Sequence, residues 1–251
     1  MDLGLKDKVF VVTGGSRGLG RATVEALVAE GAHVVVSGRN ADSLRALEDA
    51  LGAAVRGVAV DSAEPDAAEL LVAAAISSFG RLDGALISVG GPPSGPAMTS
   101  TDADWRSAFE SVFLGGLRIA RTVAAAIEDG GSIAFVLSTS VKVPLGHLAI
   151  SNGLRPGLAM VAKTLANELA PRAIRVNGLL PGRIATDRLV ELDSATGDAA
   201  QTRRNAEAAI PMGRYGDPAE FAAVATFLLS PSSSYVTGVM LPVDGGAMQA
   251  L

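Results

Sequence analysis

The stretch Thr13-Gly14-Gly15-Ser16-Arg17-Gly18-Leu19-Gly20 follows a short apolar run and opens a segment of helical period. Glycines let a backbone turn tightly and come close to an anion. The first N–H groups of the following helix are unpaired and lie at its positive end. Such a turn suits the phosphates of a dinucleotide, with Gly14, Ser16, Arg17, Gly18, Leu19 and Gly20 as candidate contacts. The next apolar run ends Val34-Val35-Val36-Ser37-Gly38-Arg39-Asn40, without the acid that a free ribose 2′-hydroxyl usually needs. Arg39, with Arg17 opposite, offers forked cationic donors for a 2′-phosphate, so NADP(H) is expected in preference to NAD(H).

A second group of reactive side chains lies in the middle of the chain. Phe135-Val136-Leu137-Ser138-Thr139-Ser140 ends an apolar run in three hydroxyls, and His147 has the intrinsic pKa for acid–base work. Lys142 and Asn152 share that rim. Lys163 lies further along the same helical pattern and reads as a solvated charge.

These residues need a scaffold. Short apolar runs at Val9 to Thr13, Val34 to Ser37, Val58 to Val60, Ala85 to Ser88, Ile133 to Ser138, Ile174 to Leu180 and Val239 to Val243 alternate with helical segments. That order specifies an α/β fold, a Rossmann-type doubly wound sheet of about seven parallel strands with helices on both faces. Asn40 caps a helix ending near Gly52, and Gly80 closes one that opens around Pro65. A long helix is expected from about Ala103 to Glu128, and another carries Leu158, Ala162, Leu165 and Leu169 on one face. Residues 183 to 212 break the alternation and read as a substrate-side lid. No linker interrupts residues 1 to 251, so one domain is expected.

Composition narrows the chemistry. The 251 residues are 49% hydrophobic and 19% charged, enough apolar material for one large core. A net charge of -5 argues against nucleic acid as a partner. Cysteine is absent and there are two histidines, which argues against thiol chemistry and a metal site. No apolar run is long enough to span a membrane and no signal-peptide pattern opens the chain, so a cytoplasmic location is expected.

Taken with its order along the chain, TGGSRGLG resembles the glycine-rich turn of the short-chain dehydrogenase/reductase family. The resemblance runs from about Lys8 to Gly246. It includes Asp61 after the third strand, Pro181-Gly182-Arg183-Ile184-Ala185-Thr186 after the sixth, and Tyr235-Val236-Thr237-Gly238 to Val243-Asp244-Gly245-Gly246. Within the family the chain most resembles reductases of 3-oxoacyl groups on acyl carrier protein. The resemblance implies that Asp61 meets adenine and Thr186 the nicotinamide carboxamide, with Pro181, Gly182 and Ile184 beside them. Gly90, in Ser88-Val89-Gly90-Gly91-Pro92-Pro93, stands where relatives read N-N-A-G and keeps a close approach to the cofactor open. A homo-oligomer, expected to be a tetramer, is implied as well.

Active members of the family carry an asparagine, a serine, a tyrosine and a lysine that relay a proton, the last two spaced Y-x-x-x-K. Matching residue by residue puts Ser138 at the serine, Ser151 at the tyrosine, Arg155 at the lysine and Val112 at the asparagine. A serine oxygen ends roughly 4 Å nearer the backbone than a phenol oxygen, and an arginine keeps its proton. Arg155 remains able to bind ribose hydroxyls. Pro156 next to it either lies in the first turn of a late-starting helix or kinks a longer one.

Two functions follow as expectations. One is an NADP(H)-dependent oxidoreductase of a small carbonyl/alcohol or 3-oxoacyl substrate, with Ser138, Ser151 and Arg155 as catalytic candidates, His147 as a substitute donor, and a non-standard proton source. The other is a catalytically inactive dinucleotide-binding homologue that senses the ligand or partners an active relative.

Overall fold

The computed structural model describes residues 2–128, 130–194 and 197–250. Seven parallel strands, β1 (Val9–Val12), β2 (His33–Gly38), β3 (Val55–Ala59), β4 (Gly84–Ile87), β5 (Gly131–Val136), β6 (Ile174–Pro181) and β7 (Met240–Val243), pair in the order β3-β2-β1-β4-β5-β6-β7. Chain order reverses between β1 and β4, and a doubly wound sheet opens its ligand crevice at such a switch point.

The helices are α1 (Gly18–Ala29), α2 (Ala41–Leu51), α3 (Ala67–Phe79), α4 (Asp102–Ala108), α5 (Gly115–Ala126), α6 (Ala149–Leu169), α7 (Asp187–Ser194), α8 (Ala199–Ala209) and α9 (Pro218–Leu229). Alternation along β1 explains the layers. Val9 and Val11 point into a core shared with α3, α5 and α6, including Leu71, Ile119, Phe135 and Leu158. Phe10 and Val12 point the other way, against Val24, Leu27, Leu44 and Phe221 of α1, α2 and α9. Successive strand residues face opposite sides, so a wholly apolar strand is buried twice over.

The expected caps are in place. Asn40 Oδ1 accepts from Asp42 N at 2.9 Å and Ser43 N at 3.0 Å, and Gly80 ends α3 in the left-handed region at φ 76°.

Three expectations are corrected. The helix expected from Ala103 to Glu128 is interrupted by a π-helical segment, Phe109–Leu114, which widens the turn carrying Val112. The third strand begins at Val55 rather than Val58, where β2 continues to offer pairing partners. Pro156 sits inside α6, which starts at Ala149, so the late-start alternative does not hold. Much of the expected 183–212 lid is helical, as α7 and α8; its residues Ala195 and Thr196 lie outside the described residues.

Candidate functional site

The candidate residues gather where β1, β2, β3, β4, β5 and β6 end. Thr13 ties the first turn to the fourth strand: its Oγ1 donates to Ser88 O at 3.0 Å and accepts from Ser88 N at 2.8 Å. Gly14 adopts φ 59°, and a Cβ there would lie 2.7 Å from Ser88 O. A Cβ on Gly20 would lie 2.6 Å from Gly14 O, so Gly20 serves the packing of the turn on its own helix. Gly18, at φ 55°, is different, for the nearest atom to an added Cβ is Thr186 Cγ2 at 3.5 Å. It keeps open the space between the turn and the segment after β6.

The N-terminus of α1 has no side-chain cap. Its leading N–H groups face the crevice without an internal partner, as an anion site requires. Arg17 and Arg39 stand exposed on this edge, Arg17 4.0 Å from Glu191 and Arg39 3.9 Å from Asp61. Ser16 packs beside Gly38, where an added Cβ would be 3.1 Å from its Oγ. Asp61 Oδ1 accepts from Ala63 N at 3.0 Å, so it also shapes the turn after β3. Leu19 turns its side chain to the core, leaving only its backbone for a ligand. These features form a cradle of glycines, uncapped amides and two cations that fits a dinucleotide.

Further along the edge, Gly90 has no heavy atom within 4 Å of a built Cβ, and a Cβ on Gly91 would lie 3.8 Å from Arg188 Nε. Gly182 lies against Asp244, and its N–H donates to Val243 O at 3.0 Å, tying the Pro181-Gly182 turn to β7. Ile184 is buried and pairs with Gly216, so its side chain belongs to the packing beneath α7. Thr186 O accepts from Leu189 N and Val190 N, starting α7 above Gly18. Helix α7 therefore spans the mouth of the crevice. A buried network holds it: Arg183 Nη1 donates to Asp193 Oδ1 at 2.7 Å and to Tyr215 OH at 3.0 Å, while Tyr215 OH donates to Asp193 Oδ2 at 2.8 Å. Arg203 of α8 lies 4.9 Å from the Tyr215 ring centroid. The pattern of residue types in the sequence gave no sign of this network.

At the end of β5, half-buried Ser138 accepts through Oγ from Ser140 N at 3.1 Å. Ser151 is 5% exposed, and its Oγ lies 3.2 Å from Ser140 Oγ, itself 3% exposed. Ser140 escaped sequence reading, which followed single positions rather than the turn that joins them. Arg155 is 7% exposed and donates through Nη1 to Val136 O at 2.9 Å and Leu137 O at 3.0 Å. Burial pushes its pKa down to about 10. Among the described residues no carboxylate pairs with it. The guanidinium expected at the ribose is thus engaged by strand carbonyls.

Val112 is buried on the π-helical segment. Asn152 is committed to the neighbouring loop, accepting from Leu145 N at 3.0 Å and donating to Leu145 O at 2.9 Å. Both ends of its amide are tied to that loop, which fixes its orientation and leaves one N–H of the amide uncommitted. His147 is exposed at φ 57°, and its carbonyl accepts from Gly95 N at 2.7 Å; its role in the structure is through backbone, joining two loops of the rim. Lys142 is exposed. Lys163 is exposed, as expected of a solvated charge, and also donates to Gly238 O at 2.9 Å, which secures the entry to β7.

The family described as enoyl-(acyl carrier protein) reductase matches residues 14–248. A 3-oxoacyl-(acyl-carrier-protein) reductase of Salmonella typhimurium is 31% identical over 248 residues, covering 97% of this chain and 98% of the relative. The L-sorbose reductase of Gluconobacter frateurii, solved with NADPH and L-sorbose, is 33% identical, covers 100% of both chains and superposes with a TM-score of 0.94. A short-chain oxidoreductase of Pseudomonas aeruginosa PAO1, described as containing an atypical catalytic center, is 30% identical, covers 99% of this chain and 100% of its own, and gives a TM-score of 0.91.

Proposed function

The chain belongs to the short-chain dehydrogenase/reductase family, and we propose that it is an NADP(H)-dependent oxidoreductase of a small carbonyl/alcohol or 3-oxoacyl substrate with a non-standard proton source. One observation carries the reading: the glycine turn and uncapped α1, flanked by Arg17 and Arg39, share one edge of the sheet with the half-buried hydroxyl of Ser138. The NADPH of the Gluconobacter structure supports the cofactor, and the atypical centre named for the Pseudomonas protein is a precedent for departure from the usual donor.

A nicotinamide dinucleotide supplies the hydride. The chain's own residues do the rest. Gly14, Ser16, Gly18 and the backbone at Leu19 hold phosphate, with Gly20 closing the turn behind them. Arg17 and Arg39 select the 2′-phosphate, and Asp61 borders the adenine. Gly90, Pro181, Gly182, Ile184 and Thr186 form the nicotinamide end. Ser138 polarises the substrate oxygen. The alkoxide then takes a proton from a substitute donor such as the exposed His147 or from water, because Ser151 and Arg155 are engaged elsewhere. Helix α7, in the 183–212 segment, acts as the lid.

The reading extends to a homotetramer formed through α4, α5 and α6, supported by the exposed Phe109, stacked on Phe113, and the exposed Met160 on that side; sedimentation as a monomer refutes it. It also extends to the cytoplasm: among the described residues no helix is long and apolar enough to cross a membrane.

The test is titration with NADPH and NADH, followed by the absorbance change of NADPH oxidation against a panel of ketones, hydroxyketones and 3-oxoacyl thioesters. Tighter binding of NADPH and turnover of at least one carbonyl are expected. Tight binding without turnover favours the sensing homologue, and binding of neither nucleotide rejects both.

A further inference from the structure

We propose that Ser140, Ser151 and Arg155 form a clamp that aims the Ser138 hydroxyl, making Ser138 the member of this group that meets the substrate oxygen and the other three residues positioning groups. The proposal rests on the oxidoreductase reading and goes beyond it in assigning Ser140 a role and in giving Ser151 and Arg155 a different one.

A serine hydroxyl has one hydrogen to donate and two positions at which to accept. Ser138 Oγ already accepts from Ser140 N at 3.1 Å. That bond fixes the rotor, and among the described residues no chain acceptor takes the Ser138 hydrogen, which is left for a ligand in the crevice. Ser140 and Ser151, by contrast, share one hydrogen bond inside the protein, in which either hydroxyl can be the donor. Neither is exposed enough to reach a substrate while that pair persists.

Helix α6 holds the turn from the other side. Ser151 and Arg155 are four residues apart and so lie on one helical face. Ser151 meets the residue two after Ser138, and Arg155 meets the carbonyls of the two residues before it. Asn152 adds a third attachment at Leu145. The five residues from Val136 to Ser140 are thereby gripped at both ends, with Ser138 in the middle. A desolvated guanidinium without a carboxylate is costly, and here it is spent on keeping the strand end in place.

The test combines two readouts on the full chain with NADPH present. Amide hydrogen exchange over 137–141 is compared in wild type, Ser140→Ala and Ser151→Ala; the clamp requires roughly tenfold faster exchange in both variants, since each leaves a buried hydroxyl without its partner. In steady-state assays each single variant lowers kcat about tenfold while leaving KM and the NADPH dissociation constant within about twofold. The double variant is no worse than either single one, because both remove the same interaction. Ser140→Thr, which keeps a hydroxyl, restores kcat. Arg155→Met provides a further check if it folds, with faster exchange over 136–138.

Unchanged exchange, unchanged kcat, or losses that add in the double variant overturn the clamp while leaving the oxidoreductase reading intact. A wild type that binds NADPH and reduces no carbonyl overturns that reading, and the aiming of Ser138 at a substrate falls with it.

Discussion

Arg39 faces Asp61 across 3.9 Å at the ends of β2 and β3. In the cofactor-binding reading, the same guanidinium must serve the 2′-phosphate of NADP(H) from this position. Both side chains are exposed enough for solvent to weaken their pairing, so a phosphate can recruit Arg39 at little cost. Arg39→Ala is expected to weaken NADPH binding roughly 10- to 100-fold, the worth of a charge-assisted contact, and to leave NADH binding nearly unchanged. Parallel titrations decide it; equal losses for the two nucleotides would place the 2′-phosphate elsewhere.

Tyr215→Phe removes one oxygen from the network that holds α7. The Tyr215 O–H donates to Asp193 and its oxygen accepts from Arg183, so the variant removes one donor from a buried carboxylate and one acceptor from a guanidinium. A loss of about 1–3 kcal/mol is expected in denaturant unfolding, with amide exchange faster in α7 than in the central strands. Uniform exchange across the chain would argue that Tyr215 supports the whole fold rather than α7.

Asp83 gives a pH dependence whose sign can be worked out. Burial alone would raise its pKa, but bonds from Arg81, Val9 N and Lys8 together outweigh burial and hold the carboxyl below its usual value of 3.8. A lowered folded-state pKa means that the unfolded chain takes up a proton first. The contribution is therefore complete above the usual carboxylate value and is lost as pH falls through the folded one. Asp83→Asn is expected to be less stable at neutral pH and to lose less on acidification below about pH 4. Unfolding curves at pH 7 and at stepwise lower pH test this, and parallel pH profiles for variant and wild type would refute it.

Gly84→Ala tests the close contact between β4 and β5. A methyl group there would be driven into the backbone carbonyl oxygen of Ser132 on β5, which has no rotamer with which to retreat. A destabilisation of about 3 kcal/mol, at the upper end for overpacking, is expected by chemical denaturation. An effect under about 1 kcal/mol would mean that β4 and β5 can separate without penalty.

Much of this was legible in the residues. The alternation of short apolar runs with helical segments specified the layers, and the identity of the runs placed each strand within a few residues. Local chemistry was legible as well: Asn40 caps its helix, Gly80 ends its own, and the turn from Thr13 to Gly20 needs its glycines. The partners of Lys163 and Asn152 were not legible, because a type and a spacing do not say which distant carbonyl a side chain will find. The π-helical widening around Val112 was equally hidden, since its residues fit a regular helix by pattern.

The sequence by itself determined the fold, the glycine turn with its two flanking arginines and the absence of tyrosine and lysine at positions 151 and 155, because these depend on residue identity, short-range geometry and hydrophobic period. Only the tertiary structure decided what Ser151 and Arg155 do instead. Their partners, Ser140 and the carbonyls of Val136 and Leu137, are 11 to 19 residues away in the chain, and burial turns those meetings into commitments: once water is excluded, a hydroxyl or guanidinium must spend its hydrogen bonds on whatever the fold brings beside it.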